Sequence, residues 1–549
     1  MKKCWTLVTM CAIPHCMRLT KIQIPKIPEE EKTPIILQLL GIIEELSVAN
    51  LLQAEEIQLL KDEIARLKGQ KPKPNIRPST LEKTPKDQEK KDSSGKRPGS
   101  NKRSKTAEII IHETIPIAPE WIPPDSTFKG YQPYTVQGIK IEPYNIRYLL
   151  ERWQTPDGTY IVGQLPSEVQ GHFSPGLKSY ILYQYFHCHV TQPLLLEQLW
   201  EWGVDISAGQ LNGILTEDKD IFHNEKDDIL SAGLKVSDYI NVDDTGARHD
   251  GKNGYCTHIG NELFGWFQST DSKSRINFLE LLRAGQTDYV INEDALEYMN
   301  NQGLGKSILH LLEDHYKKQF TDLSEWEAHL QELQIVNHRH IKIATEGALL
   351  GSVLHHGLPR SLVIVSDDAG QFNILNHALC WVHAERIINK LIAPSEEKRH
   401  ILEDVKEQIW NFYGELKAYK VSPEETKKIQ LEDRFEEIFT QKTDYQMLNL
   451  ALERLYGNKA ELLLVLERPE IPLHNNLSEN DIREYVKRRK VSGSTRSELG
   501  RQCRDTFTSL KKTCRKLGIS FWEYLLDRMS KSNEIPPLPE LMLHHANTP

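Results

Sequence analysis

The longest periodic pattern in the chain lies near its start, where apolar residues recur in a heptad. With Ile36 at position a, Ile43, Asn50, Ile57 and Ile64 follow at a, while Leu39, Leu46, Gln53, Leu60 and Leu67 fall at d. Ile at a with Leu at d suits a parallel two-stranded coiled coil, and a single Asn at a fixes register and partner number at some cost in stability. Residues 33–69 therefore read as a dimerising coiled coil, against the competing reading of an amphipathic helix packed on its own domain. Gly69 ends the pattern, and residues 70–105, rich in Pro, Lys, Ser and Gly, read as a flexible basic linker. Residues 1–32 stay unassigned. Their lysines and short apolar run imitate a secretory signal, but Pro14 and His15 break the run and no clear small-x-small site follows.

Beyond the linker the periods shorten. Residues 106–175 read as a small β-rich region containing IIIHETIPI and the hairpin-like QTPDGTYIVGQLP. Within 176–232, PLLLEQLWEWGVDISAGQLNGILTED gives a helix, a turn at Trp202-Gly203-Val204 and a second helix, a helix-turn-helix-like pattern that serves DNA contact and plain packing alike. Residues 233–500 change character. KVSDYINVDDTGARHDGKNGYCTHIGNELFGWFQSTDS predicts a three-strand meander with a turn at Asn253-Gly254, RINFLELLRAG a helix, and SLVIVSDDAGQF a buried strand. Helical insertions are expected at 285–350 and 385–470, and 501–549 reads as a basic helical C-terminal region with a tail. The expected fold class is multidomain: an N-terminal α coiled coil, a small β-containing and helix-turn-helix region, an α/β core with helical insertions, and an α-helical C-terminus.

Composition adds limits. The 549 residues contain no run of 18 or more uncharged apolar residues, which excludes a membrane-spanning helix. Eight cysteines without a CxxC pair argue against a disulfide framework or a structural zinc site and fit a reducing, cytoplasmic setting. The formal charge of −9 argues against a nucleic-acid partner only until it is mapped. Thirteen Lys/Arg face four acids between Lys68 and Lys105, and twelve face four between Asp481 and Lys516. Two cationic segments are thus set against an acidic body, and DNA is expected to lie at the cationic segments.

Three acids stand out by position: Asp243 ending the first meander strand, Asp367 ending the later buried strand, and Glu479 near the start of a helix. That order is the one found in ribonuclease H-like phosphoryl-transfer folds. Carboxylates gather in this way because hard Mg²⁺ or Mn²⁺ takes oxygen ligands, and two such ions activate an attacking oxygen and stabilise the leaving one. Taken singly, an acid pair at a strand end is more often a turn former or cap.

The surrounding segments VDDTGAR (242–248), VSDDAGQF (365–372), HALCWVHAER (377–386) and HNNLSENDIREYVKRRKVSGSTRS (474–497), in this order, resemble the insertion-sequence-66 family of bacterial DDE transposases. The resemblance runs from about residue 33 to 529. It implies a catalytic triad of Asp243, Asp367 and Glu479 that binds two Mg²⁺ or Mn²⁺ ions, with Phe372 as the aromatic after the second Asp. It also implies a Cys-x-x-His pair, matched by Cys380 and His383. Double-stranded DNA, as element ends and target, is the implied partner of a homodimer or higher homo-oligomer; accessory proteins encoded by the same element stay open, and no membrane is implied.

Supporting roles follow from residue type. Asn475 and Asn476 are candidates to cap the helix of Glu479 or to bond the metal's carboxylates or water. Arg483, four residues after Glu479, is placed to orient that carboxylate, to meet a phosphate or to form a plain i, i+4 pair. Lys487, Arg488, Arg489, Lys490 and Arg496 suit a DNA backbone. Asp244 and Asp368 remain alternative metal ligands. The chain departs from the family in having no Cys between 17 and 187, so the zinc-binding segment many members carry is absent, and in placing Asn480 where an Arg is frequent. His187-Cys188-His189 is read as packing. The reading is a DNA transposase that cleaves and joins strands, with a ribonuclease H-like nuclease lacking strand transfer and a non-catalytic coiled-coil DNA-binding regulator as alternatives.

Overall fold

The computed structural model describes residues 110–166, 169 and 171–546. The coiled-coil and basic-linker expectations fall on 33–69 and 70–105, outside the described residues. The chain divides into two units, the smaller of which has 110–165 and 196–207 as its described part. In that unit β1 (Arg152–Gln154) and β2 (Tyr160–Val162) form the expected hairpin, turning at Gly158 with φ +88°. Residues 110–117, expected as strand, are in no regular element; their apolar side chains are exposed and pair with no other strand. A lone run of β-forming residues has no ladder to join there.

The larger unit begins, in its described part, with α1 (Pro175–Leu182), which continues as one wide turn over Tyr183–His187. The chain then forms α2 (Gln192–Glu201), whose residues from Leu196 onward belong to the smaller unit, and, in the larger unit again, α3 (Ala208–Thr216) and α4 (Asp220–Val236). The two helices of the helix-turn-helix expectation are thus α2 and α3. Helix α3 buries Leu211 and Leu215, packs near α1, and carries no Lys or Arg.

A five-stranded mixed sheet is the centre of this unit. Its strands are β3 (Tyr239–Gly246), β4 (Tyr255–Gly260) and β5 (Gly265–Thr270), then, after a long insertion, β8 (Val363–Ser366) and β9 (Asn376–Leu379). The spatial order is β5-β4-β3-β8-β9, with β4 antiparallel to both its neighbours and β3, β8 and β9 mutually parallel. All four residues of β8 are buried, which explains its unbroken apolar run. The insertion holds α5 (Arg275–Leu282), β6 (Tyr289–Val290), α6 (Glu293–Asn301), α7 (Lys306–Asp314), β7 (Gln319–Phe320), α8 (Leu323–Glu332) and α9 (His338–His355). No described helix is long and apolar enough to cross a membrane.

After β9 the chain enters α10 (Trp381–Asn389) and a helical block of α11 (Glu396–Val421), α12 (Glu425–Thr440), α13 (Gln446–Gly457), α14 (Lys459–Leu462) and α15 (Leu464–Glu467). This block has its own core around Trp381, whose indole is buried among Phe412, Phe435 and Phe439 and donates to the Leu462 carbonyl at 2.9 Å. Then come α16 (Asn476–Ser492), α17 (Glu498–Lys516), α18 (Phe521–Ser530) and α19 (Leu538–Ala546). Helix α16 stops at Gly493, whose φ of +68° suits a residue without Cβ. Helix α17 lies along β5, so the chain after residue 500 is part of the sheet's packing rather than an appended tail.

Candidate metal and phosphoryl-transfer site

Strand pairing brings the first two acids to one level. In the parallel pair, Tyr239 lies opposite Val363, Ile240 opposite Ile364 and Asn241 opposite Val365. Continuing that register by two residues sets Asp243 beside Asp367; Asp367 directly follows β8, whereas Asp243 lies within β3, which runs on to Gly246 instead of ending at the acid as expected. The period of two then sorts β3: Asn241 and Asp243 point to one face, Val242 and Asp244 to the other.

Helix α16 covers the face of Asn241 and Asp243, and Asn475 fixes its start. The Asn475 Nδ2 donates to the Val242 carbonyl at 2.8 Å, its Oδ1 accepts from Asn241 Nδ2 at 2.8 Å, and its backbone N–H donates to Cys380 Sγ at 3.1 Å. The expected side-chain cap is not made; the residue instead clamps the helix to β3 and to the end of β9. One turn on, the Glu479 N–H donates to the Asn475 carbonyl, which carries Glu479 onto the same side of the helix. Lower down, Ser478 and Tyr485 meet His258 and Ser269 of the neighbouring strands at 2.6 and 2.9 Å. The helix is thus docked largely by polar side chains that find partners on the sheet.

The surroundings of Asp243 move its proton affinity. Asp243 is pushed up to about 8, first by desolvation and then by the charge of Asp367, with Asp244 and Glu479 adding to the effect. Asp367 Oδ1 accepts from the Ala369 N–H at 3.2 Å. Glu479 Oε1 is 3.5 Å from Arg386 Nη1 and 3.6 Å from His383 Nε2, and the same guanidinium nitrogen is 2.8 Å from His383. Both groups project from α10, whose opposite face is anchored by Trp381. Burial, reinforced by Arg386, holds His383 below the usual imidazole range. Cys380 is buried, with its thiol pushed up to about 11 by desolvation, and serves as an acceptor for Asn475.

The neighbouring acids are engaged elsewhere. Asp244 accepts from Thr257 Oγ1 at 2.5 Å and Gln371 Nε2 at 3.0 Å, while Asp368 pairs with Arg454 at 2.7 Å near the surface. Asp243, raised first by its burial and then by the charge of Asp367, with a smaller effect from Glu479, makes the three carboxylates candidate hard-oxygen ligands for a divalent cation such as Mg²⁺.

The expected DNA-binding cations divide. Lys487, Lys490 and Arg496 are exposed, as is Arg483, which makes no ion pair with Glu479. Arg488 is buried over the Tyr185 ring, 3.7 Å from its centroid, and Arg489 donates to the Gly246 carbonyl and, at 3.2 Å, to Thr245. Both expectations are corrected: the helical period turns these two side chains inward. Much of the second basic segment is also spent internally. Lys512 and Lys516 pair with Asp481 at 3.3 and 2.8 Å, and Lys511 pairs with Glu484 at 2.5 Å. His189 lies 2.8 Å from Glu484, in keeping with a packing role. Asn476 opens α16 half-buried.

Arg386 escaped the sequence reading. Its signal was its place at the end of HALCWVHAER, three residues after His383 and so on the same helical face.

Residues 352–503, which include Asp367, Cys380, His383, Arg386 and Glu479, match the family described as "Transposase IS66 family". An uncharacterized protein, y4jO, of Sinorhizobium fredii (strain NBRC 101917 / NGR234) is 44% identical over 317 residues, covering 57% of this chain and 99% of that protein. The match spans Asp367 and Glu479, and the chain belongs to the Transposase IS66 family.

Proposed function

We propose that the chain is a DNA transposase whose Asp243, Asp367 and Glu479 bind two divalent metal ions and carry out strand cleavage and strand transfer. The observation that carries this reading is the level shared by Asp243, within β3, and Asp367, just after the parallel β8, under the helix that bears Glu479, with Asp243 raised first by burial and then by the charge of Asp367. The strand order β5-β4-β3-β8-β9 with β4 reversed supports a ribonuclease H-like core, since the first three strands form the meander and the fourth bears the second acid.

When bound, the ions would supply Lewis-acid activation of a water or 3′-OH and stabilisation of the leaving oxygen. The chain's own residues do the rest. Asn475 fixes the height of α16 against β3, and Arg386 with His383 sets the direction of Glu479. Asp244 and Asp368 are held away by Thr257, Gln371 and Arg454, which leaves Asp243 and Asp367 as the inward pair. Exposed Arg483, Lys487, Lys490 and Arg496 are available to backbone phosphates of double-stranded DNA. Dimerisation through 33–69 would bring two element ends to two such sites.

Purified full-length protein with Mg²⁺ and end-containing DNA should cleave and join strands, and Asp367→Ala should bind the DNA without cleaving it. Cleavage that survives this substitution rejects the assignment, and cleavage without joined product leaves a nuclease.

A further inference from the structure

A second cluster of ligand atoms lies away from the three acids, in the insertion between β5 and β8. Side-chain ligand atoms of His315, His329 and Glu332 all fall within 4.8 Å of one another. His315 follows α7, whereas His329 and Glu332 stand three residues apart at the end of α8, and so on one face of that helix.

His329 is the unusual member. It is only 4% exposed, and neither ring nitrogen has a hydrogen-bond partner. Its ring stacks on Phe320 with centroids 4.4 Å apart and lies 5.8 Å from the Trp326 ring, so the polar groups of His315 and Glu332 are what it can share a ligand with. An imidazole carries one donor and one acceptor, and leaving both buried without partners is costly. Desolvation pushes His329 down to about 4, which keeps it neutral, the form that ligates metals.

His315 completes a pair. The two rings are 4.4 Å apart between centroids. His315 Nδ1 rests on the Lys317 backbone, 3.2 Å from its N–H and 3.4 Å from its carbonyl oxygen. The N–H contact makes Nδ1 an acceptor; metal binding through Nε2 would select the other tautomer, in which Nδ1–H turns to donate to the Lys317 carbonyl, the usual outer-shell arrangement for a ligating histidine. Lys317 is neutralised by Glu325, and the exposed Glu332 adds a carboxylate at the solvent edge.

We propose that His315, His329 and Glu332 form a binding site for a transition-metal dication of the zinc class, with water in the remaining position. Two imidazoles and one carboxylate suit Zn²⁺ or Co²⁺ rather than Mg²⁺, which takes oxygen ligands. The ion would tie the end of α7 to the end of α8 and so brace the insertion.

Full-length protein carrying Asp243→Asn, to weaken the carboxylate site, and saturated with Mg²⁺ should be titrated with Co²⁺ while its visible ligand-field absorption is followed. One equivalent per chain with an intense low-coordinate spectrum is expected. His315→Ala and Glu332→Gln, both at partly or fully exposed positions, should each weaken binding about tenfold or more. His329→Gln should abolish the spectrum, with circular dichroism reporting whether the variant folds. Absence of saturable Co²⁺ binding, or an unchanged spectrum in His315→Ala, overturns the proposal and leaves a buried neutral histidine packed among aromatic rings.

Discussion

Helix α16 presents two sets of carboxylates, and the protein treats them in opposite ways. Asp481 and Glu484 face α17 and β4 and are surrounded by cations: Lys512, Lys516 and His258 lie around one, Lys511 and His189 around the other. Both carboxyls are held well below their usual range, Glu484 first by the His189 contact and Asp481 by His258 and the two lysines, which outweigh its burial. Glu479, two residues before Asp481 and five before Glu484, meets Arg386 and His383, and Asp243 is driven upward by desolvation and by other carboxylates. Charge that could have been balanced by side chains is balanced on one side and left short on the other. The proposed dication would fill that shortfall.

The largest expected difference between the two sets is in catalysis. Asp243→Asn or Glu479→Gln should lower strand cleavage by several kcal/mol of activation free energy, on the order of a thousandfold, in an assay with Mg²⁺ and end-containing DNA. The same Asp243→Asn change should leave the fold intact or firmer. Stability should respond most at the other set. Asp481→Asn strands Lys512 and Lys516 near a neutral amide and should cost about 3 kcal/mol in urea unfolding. A loss below a few tenths of that would mean the cluster is looser than its distances indicate.

Proton competition sharpens the contrast. A carboxyl raised above its unfolded value binds more protons when folded, so Asp243 favours the folded state at low pH, and that advantage is lost as pH rises from about 4 to about 8. Without divalent ions, Asp243→Asn should therefore raise the unfolding temperature at pH 8 and change it little at pH 4. Smaller still, Arg386→Gln should lower cleavage about tenfold with little change in DNA binding, because it frees the direction of Glu479. Lys490→Ala should reduce the slope of log affinity against log salt by about 1, whereas Arg488→Ala should leave that slope unchanged and reduce stability instead.

How far the sequence alone reaches can be judged from these same residues. The meander and the buried strand at 363–366 were legible because each depends on local period and on the turn residues around it. The Asn475 clamp was not, since its partners Asn241 and Val242 are more than 230 positions away and a capping role was equally consistent with its type. The basic stretch misled for a related reason. Composition counts Lys511, Lys512 and Lys516 as surface charge, and only the docking of α17 against α16 reveals that they are matched to Asp481 and Glu484. Arg488 and Arg489 follow the same logic, with the helical period alone deciding that Lys487 and Lys490 face outward.

The central claim is that the acids around Asp243 hold a dication which the acids around Asp481 do not. Mg²⁺-dependent thermal stabilisation, measured across pH 6 to 9 on wild type, Asp243→Asn and Asp481→Asn, tests it directly. Wild type and Asp481→Asn should gain stability with Mg²⁺, more strongly as pH approaches about 8, and Asp243→Asn should gain none. Equal Mg²⁺ stabilisation of wild type and Asp243→Asn would contradict the account.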